Sequence, residues 1–241
     1  MKVFTRFKKK RWRVAFGLIG LIIFMHLFVP AQHVIWKRLD IDAPIGLATG
    51  TKITMIAFAP SSVCLGKLAS AQSLDYQMAP PKKEQKKCGW KKAVKVNAVA
   101  NISFRPNTIT AQCPLMLASY IWLGEVDKAA QKYLGSPLKK VHHAGTYSCR
   151  RQRGNRSGEW SEHAFANAWD ITGFELENGQ VISVLKDWHN SSSAQARKKK
   201  KFLRKARKSA CRVFRVVLSP DYNAAHKDHF HLDQGPSLSC R

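Results

Sequence analysis

Seven cations (Lys2, Arg6, Lys8, Lys9, Lys10, Arg11 and Arg13) stand directly before an apolar run from Val14 to Val29, broken only by His26 and two glycines. Cations ahead of an apolar core hold the N-terminus in the cytoplasm and commit the downstream chain to translocation. This decides the chemistry of the six cysteines at 64, 88, 113, 149, 211 and 240, because thiols oxidise outside the cytosol. An even count predicts three disulfides, with all of the roughly fifteen pairing schemes open. No CxxC pair occurs, which argues against a zinc ribbon or a thioredoxin-type motif. The apolar run is shorter than the usual span of about 20 residues, but Trp36 and Lys37-Arg38 suit an interfacial anchor at its outer end. The expectation is a single-pass inner-membrane helix with the C-terminal domain in the periplasm. The alternative is a signal peptide removed near Val29-Pro30-Ala31, releasing the domain to the periplasm.

The chain then divides into a basic cytoplasmic N-terminus (1–13), a membrane anchor or signal (14–31), a tether (32–63) and one folded domain (64–241). Prolines at 30, 44 and 60 and the lack of a sustained period mark the tether. From Met78 to Lys95 the chain carries Pro80-Pro81 and seven lysines, a composition expected to stay an exposed loop, pinned by Cys88. Val94 to Ile102 reads as a strand. Pro114 to Leu134 has apolar residues at the spacing of an amphipathic helix, with Pro114 suiting its first turn and Gly135 its stop. Ile171–Leu176 and Val181–Leu185 flank Asn178-Gly179, a hairpin signal. Arg197 to Lys208 is strongly basic but keeps Phe202, Leu203, Ala206 and Ala210 in a helical stripe, predicting a packed helix with a cationic outer face. Val213–Leu218 reads as a strand, followed by a turn at Ser219–Asn223.

With 41 Lys and Arg against 15 Asp and Glu, the net charge of +26 favours an anionic partner. The export signal and the absence of aromatics interleaved with the basic run count against nucleic acid. An anionic wall polymer or membrane surface is the expected partner.

In a chain this poor in acids, two clusters concentrate imidazole and carboxylate: Ser161-Glu162-His163…Asp170, and His226-Lys227-Asp228-His229-Phe230-His231-Leu232-Asp233. A catalytic zinc takes about three N, O or S ligands and keeps one position open. His163 and Asp170 offer one nitrogen and one oxygen donor, and His229 and His231 share a face if their segment is a strand. His142, His143, His189 and His26 fit no such pattern, and Cys149 is expected in a disulfide rather than as a catalytic thiol.

The pattern Ser-x-His-x6-Asp followed by Asp-x-x-His and His-x-His resembles the zinc DD-peptidase and Hedgehog-like superfamily. Over the wider run, Tyr147-x-Cys149-Arg150, Ser161-Glu162-His163-Ala164, Ala168-x-Asp170, Asp187-Trp188, Leu218–Asn223 and His226–Asp233 resemble the bacterial extensin-like C-terminal domain family. The resemblance implies an α+β domain with a small antiparallel sheet and flanking helices. It implies zinc held by His163, Asp170 and His231, with Asp228 or His229 moving the proton in amide hydrolysis and His226 as a supporting donor. Arg150 would face a developing oxyanion or a substrate carboxylate, Ser161 would steady the ligand loop, and Asp233 would support a ligand or cap the chain. The substrate implied is the stem peptide of peptidoglycan. Ala166 departs from the superfamily, where glycine is common, and its methyl is expected to crowd the turn between the first two ligands. A module that keeps the fold but only binds the wall is the alternative.

Overall fold

A computed structural model of the chain describes residues 2–84, 87–152 and 157–241, with side chains of the first helix from Trp12 onward. That helix, α1 (Lys2–Phe28), carries the apolar run with every large side chain from Val14 to Phe28 open to solvent, apart from the half-covered Met25. The basic side chains from Lys2 to Arg11 lie outside the described residues. Among the described residues, no helix is long and apolar enough to cross a membrane. The expected spanning helix is thus unsupported, its sixteen-residue apolar run being shorter than the ~30 Å hydrocarbon layer.

The expected tether is a packed part of the domain. Val34, Leu39, Ile41, Ile45 and Ile53 are buried, and α2 (Thr49–Ala57) and α3 (Ser61–Leu68) lie against the long central helix. The lysine-rich segment also departs from expectation. It forms β1 (Leu74–Ala79), β2 (Lys82–Glu84), β3 (Cys88–Trp90) and the start of β4 (Ala93–Val99). Lys82 and Lys83 lie on β2 of a separate two-stranded flap made of β2 and β3, Lys91 and Lys92 are exposed in the turn after it, and Lys95 is the exposed position in the middle of β4. A charged edge such as β2 resists further strand pairing.

The chain continues through β5 (Ile102–Arg105) and β6 (Ile109–Ala111) into α4 (Cys113–Leu134). Helix α4 begins with Pro114 in its first turn and ends at Gly135, whose φ of 74° is the left-handed stop that glycine adopts without steric cost. It is buried along most of its length: Trp122 is fully enclosed and donates its Nε1–H to the Ala206 carbonyl at 2.9 Å. After β7 (Leu138–Gly145) and a short 3-10 corner (Glu162–Phe165) come β8 (Ala168–Leu176) and β9 (Val181–Ser183), the hairpin that Asn178-Gly179 signals. A single turn α5 (Val184–Asp187), the basic helix α6 (Ala194–Ala210), β10 (Val216–Leu218), β11 (Phe230–Asp233) and β12 (Ser239–Cys240) complete the chain.

The sheet is larger than the small antiparallel one expected. Among the described residues it has ten strands, ordered β1-β4-β5-β7-β8-β11-β10-β12, with β6 on β4 and β9 on β8, and two of its pairs, β5–β7 and β10–β12, are parallel. Helices α4 and α6 pack together, with α4 against the sheet, over a core that includes Trp122, Trp169, Phe174 and Phe202. All six cysteines pair: Cys64–Cys113 ties α3 to α4, Cys88–Cys149 ties the flap to the loop before the 3-10 corner, and Cys211–Cys240 ties the end of α6 to the last strand.

Candidate metal centre

Strands β8 and β11 run antiparallel, and their register sets His231 directly opposite Asp170. Side chains directly opposite in such a pair share a face a few ångströms apart. His163 comes from the 3-10 corner just before β8. Ser161 caps that corner by accepting the His163 N–H at 3.4 Å. The corner closes at Ala166, buried and left-handed with φ 55° and ψ 35°. It is tied to the base of α4: Gln112 donates its backbone N–H to the Ala166 carbonyl and its side-chain amide to the Phe165 carbonyl, both at 2.8 Å. The methyl of Ala166 is thus accommodated, and the conformation that glycine would favour is kept at some strain.

Three donor groups converge. His163 Nε2 lies 3.1 Å from Asp170 Oδ2 and 3.2 Å from His231 Nδ1, and His231 Nδ1 lies 2.9 Å from Asp170 Oδ1. Donors about 2.0 Å from a tetrahedral zinc stand about 3.3 Å apart, so the triangle already has nearly the size the ion requires.

The partners of the outer nitrogens settle which atoms point inward. His163 Nδ1 faces the Thr146 carbonyl at 3.3 Å, and a carbonyl only accepts, so Nδ1 carries the proton and Nε2 holds a lone pair. His231 Nε2 faces Asp233 Oδ2 at 2.9 Å and donates to it, which leaves Nδ1 free. Two lone pairs and a carboxylate then face one point, an arrangement that only a cation or a proton makes stable. A carboxylate accepting from the far side of a ligand histidine fixes its tautomer and raises its basicity.

The titration behaviour has its origin in the same contacts. Burial works against ionisation of Asp170, but hydrogen bonds and charge from His163 and His231 prevail and hold its carboxyl far below the usual range. Burial likewise works against charging His231, yet Asp170 and Asp233 push it up to about 9. Glu162 beside the corner is raised by burial, although Asn167 donates to it at 2.6 Å. A side chain at Gly235 would begin 2.7 Å from the Glu162 carboxyl carbon, which explains the bare position there.

Asp170, His231, Glu162 and Asp233 line a cleft of about 410 Å³ that also takes in Arg150, His226 and His229, while His163 is buried behind this lining. His229 directs Nε2 to within 3.7 Å of Asp170 Oδ1, while Asp228 Oδ1 accepts its Nδ1–H at 2.8 Å. Asp228 itself is half exposed and outside the cleft lining, so it reaches the site through His229. His226 stacks on His229 with ring centres 5.2 Å apart, and burial followed by the neighbouring histidines lowers it to about 4. Asn223 Oδ1 accepts from both Ala225 N–H and His226 Nδ1, so the neutral His226 offers an acceptor, not a donor, to the cleft. Arg150 is exposed at the rim, its carbonyl accepting from the Ser161 N–H at 3.1 Å.

The Asp187-Trp188 motif lies outside the cleft. Trp188 is buried against Phe230 and donates to Asp221 Oδ1 at 2.8 Å, steadying the loop that leads to His226. One contributor was not visible in the sequence, and one stood in its first acidic cluster without an assigned role. The Thr146 carbonyl is a backbone atom and leaves no trace in side-chain spacing, and Glu162 joins the cleft only because the corner folds it inward.

The profile of the family described as "Extensin-like protein C-terminus" matches residues 62–241. No curated protein and no solved structure matches the chain. The matched span takes in every residue of the converging triangle and all three disulfides, and the chain belongs to the extensin-like protein C-terminus family.

Proposed function

We propose that the chain is a zinc-dependent peptidase that cleaves amide bonds in peptidoglycan stem peptides, related in fold and chemistry to the zinc DD-peptidases and Hedgehog-like proteins. In this reading it is exported to the periplasmic side and stays membrane-associated through α1. The observation that carries the proposal is the triangle of His163 Nε2, Asp170 and His231 Nδ1, pre-set at zinc dimensions, with Asp170 and His231 lining a cleft. Two imidazoles and one carboxylate form the donor set of a catalytic rather than a closed structural zinc site. The three disulfides suit the oxidising compartment in which peptidoglycan lies.

When bound, zinc supplies a Lewis acid charge for the scissile carbonyl and lowers the pKa of water to about 7. The rest falls to the protein. His229 Nε2, facing the donor set with its tautomer held by Asp228, takes the proton of the attacking water and returns it to the leaving amine. Arg150 at the rim binds a substrate carboxylate, and His226 accepts a hydrogen bond from substrate N–H. Glu162, whose carboxyl burial pushes up against the hydrogen bond from Asn167, forms part of the cleft wall beside the ligands.

The test combines metal content with digestion of purified peptidoglycan by wild type and His163→Ala. The expected result is one zinc per wild-type chain, none in the variant, and new muropeptides only with wild type. Absence of zinc from the wild type overturns the metal reading. Zinc without any change in muropeptides overturns catalysis and leaves the wall-binding module.

A further inference from the structure

Large apolar side chains left in water singly need no explanation, but a contiguous group of them does. One such group surrounds the point where α1 joins the folded domain. That junction is fixed by two lysines: Lys37 Nζ donates to the Val29 carbonyl at 2.7 Å and Lys52 Nζ to the Ala31 carbonyl at 2.6 Å. Immediately beyond it Ile35 and Trp36 are half exposed. Leu47, 82 % exposed, is held there by its N–H on His33 Nδ1 at 3.3 Å. Leu47 and Leu238, the latter 77 % exposed, line one hollow of about 430 Å³ together with Arg212 and Arg215. Phe58, 67 % exposed, sits 5.1 Å under the Arg215 guanidinium. Five exposed hydrophobics from three separate stretches of chain are thus gathered at the foot of a helix that is itself bare.

The rim of this face is cationic. Lys37, Arg38, Arg212 and Arg215 pair with no acid among the described residues. Arg215 spends its N–H groups on the carbonyls of Gly235 and Pro236, both at 2.6 Å, which leaves its charge uncompensated. Burial and then the charges of Lys37 and Lys67 hold the Lys52 ammonium below its ordinary value, a sign of the same positive field.

We propose that this face docks the folded domain onto an anionic bilayer, with Ile35, Trp36, Leu47, Phe58 and Leu238 entering the interfacial layer and the surrounding cations meeting lipid phosphates. Amphipathic surfaces of this kind gain both from buried apolar area and from attraction to anionic lipid. A second copy of the chain is the poorer occupant, because two bodies of charge +26 repel one another. A nucleic acid would answer the cations and leave the apolar residues in water. The inference is independent of the metal site and is read without any activity.

The full chain is mixed with vesicles of phosphatidylethanolamine and phosphatidylglycerol, or with neutral phosphatidylcholine vesicles, and backbone hydrogen exchange is followed. Amides in 33–38, 46–58 and 236–240 should slow on the anionic vesicles, over and above any slowing in α1, while those of 226–231 stay unchanged. Leu47→Ser/Leu238→Ser, at two positions too exposed to affect folding, should weaken that protection about tenfold or more, since one buried leucine alone is worth about a factor of ten. Protection confined to α1, or equal in wild type and variant, overturns the proposal. So does a lipid-free dimer, seen by sedimentation, that gives the same protection.

Discussion

Asp233 is the residue whose replacement tests the metal centre most sharply. Its carboxylate accepts twice, from His231 Nε2–H through Oδ2 at 2.9 Å and from Gly235 N–H through Oδ1 at 2.8 Å. Asp233→Asn keeps the shape but not both acceptors. Whichever way the amide turns, one of its N–H groups meets another donor. If it meets His231, the ring moves its proton to Nδ1, the atom aimed at Asp170 and His163. Loss of such a carboxylate partner costs about 10- to 100-fold in metal affinity, roughly 1.4 to 2.7 kcal/mol. The pH dependence carries a second signature. With His231 raised to about 9 in the metal-free protein, zinc must displace a proton below that pH. Wild-type affinity therefore weakens by up to about tenfold per unit as pH falls from 9 towards 7. Removing Asp233 lowers the His231 pKa, so the variant's affinity levels off at a lower pH and the two curves approach each other near neutrality. Competition for zinc against a chromophoric chelator between pH 7 and 9.5 measures both. Equal affinities at the alkaline end, with equal pH slopes, would refute the assignment of Nδ1 as the inward atom.

Asp228→Asn should lower kcat with zinc content unchanged, because Asp228 acts on the site only through His229; His229→Ala should lose the full ~10²- to 10⁴-fold of a general base. A loss of zinc in either variant would instead make one of them a ligand. In metal-free protein the raised His231 stabilises the fold below its unfolded value of 6.5, and that contribution disappears as pH rises through about 9. Denaturant unfolding after chelation should therefore lose up to about 3 kcal/mol between pH 6 and 10, and a flat profile would contradict the paired geometry. Ala166→Gly relieves about 1–2 kcal/mol of left-handed strain but gives up a buried methyl worth about 0.8 and adds about 0.5–1 of unfolded-chain freedom. The net shift in Tm should stay within about 4 °C, with zinc affinity unchanged, and a large rise in affinity would mean that the methyl does distort the ligand corner.

Where the sequence was readable, one local signal sufficed. Pro114, a 3-and-4 apolar spacing and Gly135 bracket α4 to within a residue, Asn178-Gly179 marks the β8–β9 hairpin, and four apolar side chains disclose α6 beneath its lysines. The site was legible for a similar reason: imidazoles and carboxylates are scarce enough here that two clusters stand out, and His231 and Asp170 meet by simple cross-strand register. The failures are non-local. Val34, Leu39, Ile41 and Ile45 enter the core one at a time from a segment without period, so prolines 30, 44 and 60 make it resemble a tether. Strand β2 and the turn after β3 are lysine-laden because they face water, and the flap is fastened by the Cys88–Cys149 bond and by Trp90 and Glu84 meeting Tyr147, contacts made far along the chain. The parallel β5–β7 pairing bridges the whole of α4, a separation that no short window of sequence reveals.

The groups of the proposed metal centre are held by anchors of different kinds. Asp170 and His231 are neighbours in the middle of a ten-stranded sheet, and the tautomer of His231 is set by a buried carboxylate. His163 rides on a corner held by a serine cap, a strained alanine and two hydrogen bonds from Gln112. His226 and His229 come from a surface turn between Asn223 and β11, steadied by Asn223 and by the Trp188–Asp221 contact. Anchoring contacts therefore thin out from the two strand residues, through the corner histidine, to the turn histidines, to which the proposed mechanism gives the proton and the substrate. A metal site needs its donors fixed before the ion arrives, whereas a proton carrier must approach both water and the leaving amine. The gradient across this cleft matches that division.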